Sequence, residues 1–92
     1  MKMFFAPEGH ETDVYGTEID SSEKLCRFLK LELKGAVTIT GFDIASREDG
    51  AELDGYIKEI YLKSEGDPGM RSMLERKFMK QTMRPGSKKE TI

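Results

Sequence analysis

Ninety-two residues are enough for one domain around one core, and no more. Charged residues make up 35% of the chain and hydrophobic ones 37%, so the core is thin and the surface well solvated. The net charge of −2 hides a division: residues 1–67 carry eight Lys/Arg against fifteen Asp/Glu, a net of −7, and residues 68–92 seven against two, a net of +5.

In chain order, Lys2 to Ala6 reads as a short strand, since Met-Phe-Phe favours extended backbone. Pro7 to Glu11 is turn-rich. Thr12 to Ile19 reads as a second strand interrupted at Gly16, where a glycine marks a bulge or a close backbone approach. Asp20, with Glu23 three residues on, forms a capping box. The helix it opens places Leu25, Phe28, Leu29 and Leu33 on one face and Cys26 at its rim, and Gly35 ends it. Ala36 to Ala45 is the clearest strand. Its apolar positions change parity across Gly41, which predicts a β-bulge there.

Ser46 to Gly50 reads as a turn on the strength of Asp49-Gly50, and Tyr56 to Lys63 as the next strand of a hairpin. A helical reading of Leu53, Ile57, Ile60 and Tyr61 competes, but Gly55 and the paired β-branched and aromatic residues favour the strand. Asp67-Pro68 then caps a helix that Pro85-Gly86 stops. Met70, Met73, Leu74 and Phe78 form its apolar face, while Arg76, Lys80 and Arg84 make a basic ridge with Lys77 beside it. Met79 and Met83 are left beyond the ridge. The expected architecture is α+β: an antiparallel sheet of three to four strands with two helices on one face, in the order β-(β)-α-β-β-α. Residues 1–84 form this single domain, and 85–92 are expected to be a flexible tail.

Few residues suggest chemistry. His10 lies among Glu8, Glu11 and Asp13, but one turn does not make ligands converge, so no metal is expected. Cys26 is the only cysteine, which excludes an internal disulfide and a thiolate zinc site; at a helix rim it reads as an inert thiol. The acids Glu48, Asp49, Glu52 and Asp54 surround Gly50 without the alternating ligands of a calcium loop, and read as a secondary acidic patch on the hairpin. No catalytic motif, phosphate-cradling loop or cofactor signature is present. The N-terminal apolar run is too short for a signal peptide and no segment has the length of a membrane span, which points to a cytoplasmic protein without a membrane partner.

These features point away from an enzyme and toward a small regulator or inhibitor, of a size common among phage-borne and accessory proteins. It would bind another protein through complementary charge. The expected partner surface is Arg76, Lys77, Met79, Lys80, Met83 and Arg84. Nucleic acid, held by the same helix and the Lys88-Lys89 tail, is the alternative partner, opposed by the acidic body. Opposed charges on one domain also permit a homodimer.

Overall fold

The computed structural model describes residues 1–79. Its centre is strand β1 (Lys2–Pro7), which pairs antiparallel with β2 (Tyr15–Glu18) on one side and β3 (Val37–Asp43) on the other. Met3, Phe5, Ile39 and Phe42 join one hydrophobic cluster with the helices. Between Phe4 and Phe5 the register to β3 slips. Phe4 pairs with Gly41 and Phe5 with Ile39, leaving Thr40 as an extra residue, so the bulge lies one residue before the expected Gly41.

Helix α1 (Ser22–Leu33) packs on β3 and also holds the other helices. Its cap is Ser21, whose Oγ accepts from the Lys24 amide at 3.2 Å, one residue later than the expected Asp20. Its end is a Schellman closure. Gly35 sits at φ +81°, its amide donates to the Glu32 carbonyl, and the Ala36 amide donates to that of Leu31, both at 2.9 Å. Leu25 and Leu29 are fully buried. Leu33, expected beside them, is 42% exposed, and the Glu32 side chain, only 10% exposed, takes the inner position of the last turn.

The expected hairpin does not exist. Residues 47–63 form helix α2 (Arg47–Lys63), so the sheet has three strands and the described chain three helices. The helix begins with a local capping signal at the site of the expected Asp49-Gly50 turn. Ser46 Oγ accepts from the Asp49 amide, and Asp49 Oδ2 accepts from the Ala45 amide, closing a near capping box. Burial follows a helical period. Leu53, Tyr56, Ile57, Ile60, Tyr61 and Ser64 face inward, while Lys58, Glu59, Leu62 and Lys63 face out. Strand alternation would have put Glu59 and Lys63 on one face with Ile57, and Lys58 on the other with Ile60. Only the helix keeps the charged residues of this run off the inward face.

Asp67 Oδ1 accepts from the Met70 amide and, with Pro68 in the first turn, opens α3 (Pro68–Leu74) as the sequence indicated. Met70, Met73 and Leu74 are buried between α1 and α2. The chain then widens into a π-helical turn, Glu75–Met79, instead of continuing as an α-helix.

Candidate partner-binding cleft

Three consecutive residues of the π turn meet different surroundings. Phe78 packs edge-on against Phe42 of β3, ring centroids 6.0 Å apart. Lys77 reaches α1, where its ammonium pairs with Glu32 Oε2. The other oxygen of that carboxylate accepts from the Ile39 amide at 3.2 Å. Glu32 thus occupies a hydrogen-bonding position on the edge strand and holds the C-terminal turn against it. Arg76 is exposed and makes no ion pair among the described residues.

Between the π turn and the bulge lies an open cleft of about 420 Å³, lined by Ile39 to Phe42 on one wall and Arg76 to Phe78 on the other. Among the described residues its lining holds two cations, Arg76 and Lys77, the second already paired with Glu32. It brings together two of the basic residues expected at the partner surface, in different roles: Lys77 is engaged, and Arg76 has no ion-pair partner among the described residues. Met79 closes the turn, and Lys80, Met83, Arg84 and the 85–92 segment lie outside the described residues. No local pattern marks Glu32, because its two partners lie 7 and 45 residues away.

The acidic patch is placed on a helix. Glu48 and Asp49 occupy the first turn of α2, where the helix dipole favours negative charge, and Asp49 serves as a cap. Glu52 accepts from Tyr56 Oη at 2.6 Å, a bond that, with burial and the nearby Asp20, pushes the phenol up to about 12. Asp54 is half-buried a turn further on. Glu75 similarly accepts from Tyr61 Oη at 2.8 Å and raises that phenol, over whose ring the Arg71 guanidinium sits at 4.2 Å. Asp49 thus closes a helix start, and Glu52 and Glu75 tie tyrosines.

His10 is exposed, with Nδ1 3.8 Å from Asp13 Oδ2, and among the described residues no group of three or more His, Cys, Asp or Glu is arranged to hold a metal. Cys26 is half-buried and lines a second pocket with Lys30, Ile60, Lys63 and Met70, where α1, α2 and the start of α3 meet. Lys63 is already paired with Glu59 at 3.1 Å. No helix among the described residues is long and apolar enough to cross a membrane. Set against protein-family models, curated proteins and solved structures, the chain matches none.

Proposed function

We propose that this chain is a non-enzymatic protein-interaction module, a small cytosolic regulator or inhibitor that engages a partner protein at the cleft between β3 and the π turn. The observation that carries this reading is Arg76: an exposed guanidinium without an ion-pair partner among the described residues, at a cleft with an aromatic pair in its walls. A free cation beside apolar surface suits recognition by complementary charge, with the rest of the acidic body repelling unsuitable partners. The alternative, nucleic-acid binding, is weakened by the engagement of Lys77 with Glu32, which removes one cation from the row that would meet phosphates.

The test is capture of cellular proteins by the wild type and by Arg76→Glu, each with and without nuclease. A partner retained after nuclease and lost with Arg76→Glu supports the module. Capture that disappears with nuclease moves the assignment to nucleic acid. Equal capture by both forms removes Arg76, and this cleft, from the binding surface. Because Arg76 is exposed, its reversal is expected to leave the thermal midpoint nearly unchanged, whereas Lys77→Glu, which sets two carboxylates together, lowers it.

A further inference from the structure

The cleft also constrains how a partner can bind. β3 is an edge strand, and an edge strand ordinarily invites a further strand. Here that route is closed twice. The Glu32 carboxylate already accepts the Ile39 amide that an added strand would use, and the next residue, Thr40, is the bulge, which interrupts regular pairing. What the cleft still presents is side-chain chemistry: the Arg76 guanidinium and the Phe42–Phe78 aromatic pair. A guanidinium fork takes a carboxylate in two parallel hydrogen bonds, and the aromatic pair takes an apolar side chain.

Resting on the module reading above, we infer that the cleft receives a short acidic–apolar segment of a partner protein. The segment is read through its side chains: one carboxylate on Arg76 and a neighbouring apolar residue against Phe42 and Phe78. It does not join the sheet. Arg76 alone supplies the charge complementarity, since the other cation of the lining, Lys77, is already neutralised by Glu32. Lys77 stays on Glu32 and keeps the far wall in place.

The experiment is a titration of the ¹⁵N-labelled chain with the probe acetyl-Glu-Leu-Glu-Phe-Glu-amide, read by amide shifts. It is repeated with the same peptide carrying Lys for Glu, and with a penta-Glu peptide. The expected result is saturable shifts confined to Thr40, Gly41, Phe42 and residues 76–78, absent with the Lys peptide and weaker with penta-Glu. Arg76→Gln, which keeps the dispersed spectrum of the folded chain, should weaken the probe by about tenfold or more, as loss of one charge-assisted pair does. Strand addition would instead shift amides along the whole of β3 and extend through Ile39, overturning the side-chain mode. Equal binding of the Lys peptide, or cleft amides that do not move, overturns the acidic–apolar assignment. If the peptide fails while protein capture still depends on Arg76, the partner's chemistry is wrong and the module reading stands. Capture independent of Arg76 ends both.

Discussion

Helices α1 and α2 are both opened by a serine and both bury two aliphatic residues, yet they are held by different forces. The ends of α1 are closed by its own neighbours in sequence, the Ser21 cap and the Gly35 terminator. It lies on β3 and carries α2 and α3. Helix α2 has a capped start, but it contains Gly50 and Gly55 and a run, Tyr56 to Lys63, rich in residues that favour strands. It is helical because Ile57 and Ile60, three residues apart, both reach the core only in that form, against α1 and α3. Local signals suffice for one helix, and tertiary packing decides the other.

The largest effects should come from the shared core. Leu29→Ala in α1 and Ile60→Ala in α2 are each expected to cost about 2–5 kcal/mol in urea unfolding, a large share of the stability of so small a domain. The comparison breaks if Ile60→Ala costs less than about 1 kcal/mol, since α2 would then not depend on its burial. Two glycines sharpen it with opposite signs. Gly35 has a left-handed φ, and a Cβ there would stand 3.0 Å from Glu8 Oε1, so Gly35→Ala should destabilise by about 1 kcal/mol or more. Gly55 lies inside α2 with nothing within 4 Å of an added Cβ, so Gly55→Ala should stabilise by about 0.5–1 kcal/mol. If Gly55→Ala destabilises, the glycine serves α2 in some way other than tolerance.

Removing the α2 cap with Ser46→Ala should cost about 1 kcal/mol, read as a lower urea midpoint with unchanged slope. The smallest effect is at alkaline pH. The Glu52 bond raises the Tyr56 phenol from 10.0 to about 12, so the folded chain holds this proton more tightly than the unfolded one. Its contribution to stability is complete below pH 10.0 and is lost as pH rises through about 12. In Tyr56→Phe the fall in thermal midpoint over that window should be shallower. An identical slope in the variant would assign the alkaline loss to other groups, Tyr61 and its Glu75 partner first.

The candidate site was half legible in the same sense. Arg76 and Lys77 were readable as basic residues bordering an apolar helix face, because charge and periodicity are local properties. That they take different roles, Lys77 tied to Glu32 and Arg76 without an ion-pair partner among the described residues, follows from a contact between residues 45 apart, for which no local pattern exists. Glu32 itself stands in an alternating Leu-Glu-Leu stretch, where period alone made Leu33 the inner residue. The structure reverses the two, because a carboxylate there satisfies an edge amide and an ammonium together, and a leucine would leave both without a partner.

By itself the sequence determined the α+β class, the strand at Lys2, the bulge near Gly41, the span of α1 and the Asp67-Pro68 opening of α3. Each of these is written in dihedral preference, capping chemistry or parity within a few residues. Only the tertiary structure decided that residues 47–63 are helical, that the sheet has three strands among the described residues, and that Glu32 joins α1, the β3 edge and the π turn. Those outcomes turn on which surfaces are available to bury Ile57 and Ile60 and to pair with one carboxylate, and such surfaces exist only once distant segments have met.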